Sequence, residues 1–203
     1  MTSTGVLGSV KLADAGAPGG NAAVTGAMQR SHANRRLIDC HGWQRDDGLW
    51  QIEVSLRDTK GAALRSPTGR YVAAGEAIHH MVITLVVDGA LKIQSATAQS
   101  LAAPASTCHE VEASYAALAG LTIGPGMNRA VRERLGGVKG CTHLTEMLPI
   151  AATVAIQTVR GARLTDGGGL DSKVAARMAD ECHTWRRDGP LVRSLMAGPQ
   201  TGS

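Results

Sequence analysis

Between Leu49 and Arg57 the side chains alternate without a break: Trp50, Ile52, Val54 and Leu56 are apolar, and Gln51, Glu53, Ser55 and Arg57 are polar or charged. Successive side chains of a strand point to opposite faces, so a run of this period folds as a strand with one covered face. Asp46-Asp47-Gly48 precedes it and supplies a turn with a glycine free to take a positive φ. The strand-like run Arg36–Arg45 before that turn completes a predicted hairpin. A second hairpin is predicted from the β-branched run Ile78–Val87, a two-residue Asp88-Gly89 turn and a return over Ala90–Ala98. The intervening 61–75 segment, with Pro67 and several glycines, reads as a loop. Two hairpins make a small antiparallel sheet of about four strands.

The period then changes. Thr107 and Glu110 have the spacing of a capping box, which predicts a helix running to Ala119 and stopped by Gly120. Gly124-Pro125-Gly126 breaks the chain, and Met127–Leu135 reads as a short basic helix ended by Gly136-Gly137. From Thr142 to Arg160, the residues Leu144, Met147, Leu148, Ala151, Val154, Ala155 and Val159 recur at helical spacing, with Pro149 expected to kink or delay the helix. Gly167-Gly168-Gly169 reads as a linker, and Asp171 or Ser172 as the cap of a last helix ending near Arg187. Strands first and helices after predict an α+β fold, with helices packed on one face of the sheet. The expected boundaries are a disordered tail over 1–34, rich in Gly, Ala, Ser and Thr, a single domain over 35–195 and a second disordered tail over 196–203.

Phenylalanine is absent from the 203 residues, so the core must be built from Val, Leu, Ile, Ala and Met. The net charge of +4 is modest, and the basic residues are scattered apart from Arg35-Arg36 and Arg186-Arg187. Without a basic stripe or aromatic stacking platforms, nucleic acid is not an expected partner. No run approaches the ~18 apolar residues of a membrane helix, and no signal-peptide pattern opens the chain, so a cytoplasmic protein with no membrane partner is expected. Four cysteines in such a chain read as thiols or ligands rather than disulfides.

Four soft-metal donors fall at element edges: His79 at the start of a strand, Cys108 at the start of a helix, and Cys141 and His143 at the start of the long helix. Two imidazoles and two thiolates make a tetrahedral shell for zinc or iron. Both thiols would feel the positive end of a helix dipole, which favours the thiolate. Cys182-His183 on a helix and Cys40-His41 on a strand point to different faces, and His80 points away from His79. The carboxylates Asp46, Asp47, Glu53, Asp58 and Glu76 are available as general bases or as groups that orient ligands, although Asp46 and Asp47 suit the turn better. A buried free cysteine also serves simply as a small apolar residue.

The runs Arg45-Asp46-Asp47-Gly48-Leu49-Trp50, Asp58-Thr59-Lys60, Gly75-Glu76 with Ile78-His79, Leu121-Thr122-Ile123-Gly124-Pro125-Gly126, and Arg132-Glu133-Arg134-Leu135-Gly136-Gly137 leading to Gly140-Cys141-Thr142-His143-Leu144 resemble a bacterial family, domain-of-unknown-function family 2889. That resemblance covers nearly all of the expected domain and implies no activity. More distantly, the order from His79 onward is similar to the NifU-type iron–sulfur cluster assembly scaffolds. There a ligand precedes the strand hairpin, a cysteine starts the next helix and a His-Cys pair starts the last long helix. The likeness implies a shared site at His79, Cys108 and Cys141. It departs from the pattern in having His for the first ligand and Cys141-Thr142-His143 for the last pair, which suits a retained single metal better than a cluster in transit.

The leading expectation is a cytosolic metal-binding protein with a Cys/His site for zinc or iron, acting as a metal-dependent enzyme on a small molecule. There the metal would polarise a carbonyl or activate water. One alternative is an iron–sulfur cluster scaffold or carrier without enzymatic activity. Another is a metal-free binding module whose cysteines are only buried. The sequence carries no signal for oligomeric state.

Overall fold

The computed structural model of the protein describes residues 30–165, 170 and 172–197. The expected 1–34 tail lies outside the described residues up to 29, as do the Gly167–Gly169 linker, the Asp171 cap and 198–203 of the closing tail. The strands are β1 (Asn34–Gln44), β2 (Trp50–Lys60), β3 (Leu64–Arg65), β4 (Tyr71–Val72), β5 (Ala77–Val87) and β6 (Ile93–Ala102). The α-helices are α1 (Met127–Leu135), α2 (Thr142–Thr165), α3 (Ser172–Met178) and α4 (Pro190–Ala197). Four strands form an antiparallel sheet in the order β1-β2-β5-β6, and β3 pairs with β4 in a separate two-stranded ribbon. The fold is α+β, as the alternation followed by helical periodicity predicts.

The alternation on β2 does what its period requires. Ile52, Val54 and Leu56 are fully buried, and their register partners on β5, Leu85, Ile83 and Met81, are equally buried. Over this face lies α2, whose Leu144, Met147, Leu148, Ala151, Ala155 and Val159 join the same core. Each such aliphatic side chain removed from water contributes about 1.5–3 kcal/mol, which outweighs the weak preference of any one segment for its conformation. The close approach of α2 to β1 requires Gly42: a Cβ there would lie 2.1 Å from the Thr158 Oγ1. The opposite face of the sheet carries the polar set, Gln51, Glu53, Ser55 and Arg57 on β2, none of them buried.

The first hairpin turn forms as expected. Gly48 takes φ 79°, and the Asp47 carboxylate accepts the Leu49 N–H at 3.1 Å. The second is longer than the two-residue turn read from Asp88-Gly89. The Asp88 N–H bonds the Lys92 carbonyl, and the Asp88 carboxylate accepts the N–H groups of Ala90 and Lys92. The left-handed conformation falls on Leu91, at φ 64°, a position held because the Leu91 side chain is part of the core. Strand β6 accordingly starts at Ile93 rather than Ala90.

Two helical expectations are corrected. The helix read from Thr107 to Ala119 is instead a pair of 3₁₀ segments, Ser106–His109 and Glu112–Leu118, with no side-chain cap at Ala105. The Glu112 carboxylate accepts the Ser100 N–H of β6 at 2.7 Å and contacts the His109 ring, so anchoring to the sheet dictates the turns. The last helix, expected to run to Arg187, ends at Met178 as α3, with Asp180 at φ 68° just beyond it, and a separate short helix, α4, opens at Pro190. Cys182 and His183 therefore lie in the turn between them, both exposed. No described helix is long and apolar enough to cross a membrane.

Candidate metal centre

The buried face of β2 does not end at Leu56. Two residues further along the same face stands Asp58, whose register partners are Arg36 on β1 and His79 on β5. A row of three polar side chains thus closes the helix-facing side of the sheet at one end. The first two turns of α2 bring His143 and Glu146 to this row. Asp58, His79 and His143 offer ligand atoms that all lie within 4.8 Å of one another.

Asp58 is the hub. Its side chain is 5% exposed. Arg36 grips both its oxygens, Nε to Oδ1 and Nη2 to Oδ2 at 2.8 Å each, while the Arg36 Nη1 reaches the Glu146 carboxylate at 2.6 Å. The His79 Nδ1 lies 3.0 Å from the Asp58 Oδ2, and the His143 Nε2 lies 4.0 Å from the same oxygen. The guanidinium of Arg36 holds the Asp58 carboxyl below the usual carboxylate range, against the opposing effect of burial, with His79 adding to the lowering. His79 is pushed down chiefly by burial and next by the neighbouring His143 ring. A carboxylate held ionised beside an imidazole held neutral is the protonation state a metal ion requires of its ligands.

The donor set fits a cation. Asp58 Oδ1 keeps a lone pair beyond the one Arg36 uses, and the second lone pair of Oδ2 faces the His79 Nδ1, where a cation would take the place of a proton on that nitrogen. Arg36 contributes positive charge nearby, but Glu146 offsets it. His143 turns its other nitrogen, Nδ1, toward the Cys141 Sγ at 3.9 Å. A sulfur on that side fixes the ring with Nε2 toward Asp58.

Of the four donors expected from the sequence, His79 and His143 come together. Cys141 lies beside His143, on the edge of the group rather than within it. Cys108 falls in the Ser106–His109 segment, half-buried and outside the group, with one short 3₁₀ turn where an α-helix was expected. Cys40 packs against the core from β1, Cys182 is exposed, and all four thiols are free. Asp58, expected only as a supporting carboxylate, is the centre of the cluster. Extending the β2 alternation by one more period past Leu56 was the signal that could have found it, because a carboxylate on a buried face needs partners.

A family model described as "Protein of unknown function (DUF2889)" matches residues 34–157 of the 203-residue chain. That span contains every residue of the cluster. No curated protein and no solved structure matches the chain.

Proposed function

Because the chain belongs to the DUF2889 family, whose description names no reaction, we propose its function from the cluster itself: Asp58, His79 and His143 bind one divalent metal, zinc or ferrous iron, for chemistry on a small molecule. The observation that carries this reading is the convergence of two imidazoles and a buried carboxylate within 4.8 Å. Two histidines and one carboxylate leave coordination positions open, the arrangement of catalytic zinc sites and of ferrous iron sites rather than of closed structural ones. When bound, the metal supplies a Lewis acid that polarises a carbonyl or lowers the pKa of water. The chain's own residues do the rest. Arg36 keeps Asp58 ionised and oriented, and the Cys141 sulfur faces the Nδ1 of His143. A cluster scaffold finds less support, because the converging group holds no thiolate and clusters are held mainly by thiolates.

Elemental analysis of the full chain, purified without a metal-binding tag, tests the proposal. About one equivalent of zinc or iron per chain is expected. Less than about a tenth of an equivalent after incubation with either metal, at protein concentrations well above a micromolar dissociation constant, would overturn it. The 3.0 Å contact between His79 Nδ1 and Asp58 favours one rival, a metal-free dyad in which His79 is a general base oriented by the carboxylate. That rival predicts a metal-free protein.

A further inference from the structure

The two edges of the main sheet are finished differently. At β6 the outer backbone is occupied. The Ile93 N–H donates to the Leu121 carbonyl, the Gly120 N–H donates to the Ile93 carbonyl, and the Ser100 N–H donates to the Glu112 carboxylate. At β1, among the described residues, the backbone bonds to β2 alone. A long open edge is a template for another strand, and proteins ordinarily blunt one with lysine, proline or a bulge. Strand β1 runs 11 residues with no lysine and no proline, and its register against β2 is unbroken. We propose that β1 is a docking edge for a second copy of this chain, the two β1 strands pairing antiparallel about a two-fold axis at Cys40 to make one continuous sheet. The inference stands apart from the metal reading.

The direction of the backbone groups follows from the two ends of the first hairpin. The Arg45 N–H donates to the Leu49 carbonyl at 2.9 Å, and the Gly61 N–H donates to the Ala33 carbonyl at 3.2 Å. Hydrogen-bonded pairs alternate with non-hydrogen-bonded pairs along an antiparallel ladder. Counted inward from either end, the odd-numbered residues of β1 bond β2. Arg36, Ile38, Cys40, Gly42 and Gln44 therefore turn their N–H and C=O groups to the open edge. With the axis at Cys40, that residue meets its own copy, Ile38 meets Gly42 and Arg36 meets Gln44. Each of these pairs can exchange two backbone hydrogen bonds.

The side chains select this register. On the face that carries Gln51, Glu53 and Ser55, β1 presents Leu37, Asp39, His41 and Trp43. Leu37 and Trp43 are large apolar side chains left 44% and 43% exposed. An axis at Cys40 sets Leu37 against Trp43 of the second copy and Asp39 against His41, and symmetry repeats both pairs. These are non-hydrogen-bonded pairs, whose side chains approach most closely. Within one chain the His41 Nε2 already lies 3.0 Å from the Asp39 carboxylate, so the pairing closes a ring of alternating carboxylates and imidazoles. Neighbouring registers lose this match. An axis at Asp39 sets that carboxylate against itself, one at Ile38 sets Leu37 against Asp39, and one at His41 sets Asp39 against Trp43. At the ends of the chosen register Arg35 comes opposite Arg45, which is already paired with Asp47 at 2.7 Å.

The layers fit as well. Helix α2 lies over β1, β2 and β5, chiefly over β2. In the joined sheet the two β2 strands stand three strand spacings apart, about 14 Å. Packed helices need roughly 8–10 Å, so both α2 helices have room on the same side. The second copy also reaches the rim of the cluster, because its Gln44 comes opposite Arg36. The Arg36 Nη1 and Nη2 each keep one N–H beyond those given to Glu146 and Asp58, and the Gln44 amide oxygen can accept it.

The test is sedimentation of the full chain from about 1 to 200 µM at neutral pH. A concentration-dependent dimer is expected, with a dissociation constant on the order of 10 µM, because one strand edge buries less than a standard interface. Asp39→Lys and His41→Asp, both at exposed positions, are each expected to weaken the dimer at least about tenfold. An equimolar mixture of the two variants is expected to dimerise within about threefold of the unaltered chain. In the mixed dimer the new lysine faces the new aspartate, and the remaining Asp39 faces the remaining His41. Failure of the mixture to dimerise, unweakened dimers in both variants, or an unaltered chain that stays monomeric at about 200 µM would overturn the proposal. Amide hydrogen exchange of the unaltered chain supplies a reading that needs no variant. The N–H groups of Ile38, Cys40 and Gly42 should exchange slowly in concentrated protein and rapidly in dilute protein. Protection independent of concentration would mean that the chain covers its own edge, and rapid exchange at every concentration would mean an empty one; either result overturns the inference.

Discussion

The imidazole rings of His79 and His143 lie with centroids 3.8 Å apart and planes tilted by 31°, one ring carried by β5 and the other by the first turn of α2. Two imidazolium cations at that distance would repel each other, and the His143 ring adds to the burial that holds His79 below its usual range. A shared cation bound by neutral rings removes the conflict and gives the cluster its expected occupant.

Ligands and neighbours should separate on substitution. His79→Ala, His143→Ala and Asp58→Asn should each lower metal affinity by at least about a hundredfold, read by competition against a chromophoric chelator. Cys141→Ala should keep metal binding within about tenfold and cost on the order of 1 kcal/mol of stability, because its sulfur only faces the ring of a ligand. Equal losses in all four variants would place Cys141 in the coordination shell.

Arg36 has a different signature. Replacing it by Met leaves Asp58 buried without its main partner, and should cost the metal-free protein about 1–3 kcal/mol, a range kept below that of fully buried pairs because Arg36 is partly exposed. Metal should recover part of that loss by replacing the missing positive charge. Urea unfolding with and without metal measures the difference, and an identical loss in both states would count against Asp58 as a ligand.

The metal-free protein should weaken in acid in two steps. His79 has a folded-state pKa below its unfolded value, so unfolded chains gain a proton that folded ones decline as pH drops below about 6.5, and stability falls. Asp58 is also lowered, so its contribution is fully present above about pH 4 and is lost as pH falls through the folded value. Denaturant midpoints across pH 2–8 should show both steps, and Asp58→Asn should shrink the lower one, to which Asp47 and Asp180, also held below the usual range by Arg45 and by the Arg187 N–H, contribute as well.

Cys40 should be slow to react. Burial, aided by the charge of Asp39, raises its thiol to about 11, so roughly one molecule in a thousand carries the thiolate at pH 8. Exposed Cys182 should alkylate first, as followed by peptide mass mapping. Faster labelling of Cys40 would show that β1 opens readily from the sheet.

Gly42→Ala should force β1 away from α2, since its Cβ would meet Thr158. A cost of about 1–3 kcal/mol is expected from this overpacking, measured by thermal unfolding. A neutral substitution would mean that β1 and α2 can separate without loss.

The sheet and α2 were legible because both are written in hydrophobic period, and that period survives in the core as Ile52, Val54 and Leu56 facing Leu144, Met147 and Ala151. The 3₁₀ segments were not, because a capping pattern at Thr107 and Glu110 is a local signal, whereas the segment is anchored by a long-range bond from Ser100 of β6 to the Glu112 carboxylate. Half of the cluster was readable as well. His79 and His143 announce themselves by residue type. Arg36 and Asp58 become partners only through strand register, set by the turn at Asp47-Gly48, and charged residues in a strand otherwise read as its solvent face. The weight placed on Cys108 came from an α-helix start that does not exist.

The cluster draws one residue from each of β2, β5 and α2, with Arg36 supplied by β1. None of these elements alone can form it, so the ligands meet only after the strands have paired and α2 has docked across long stretches of chain. Contacts of such large sequence separation are slow to close. Metal added during refolding should therefore leave the early rate unchanged, because the transition state precedes the finished site. It should act on the reverse reaction, slowing unfolding and lengthening the lifetime of the native molecule.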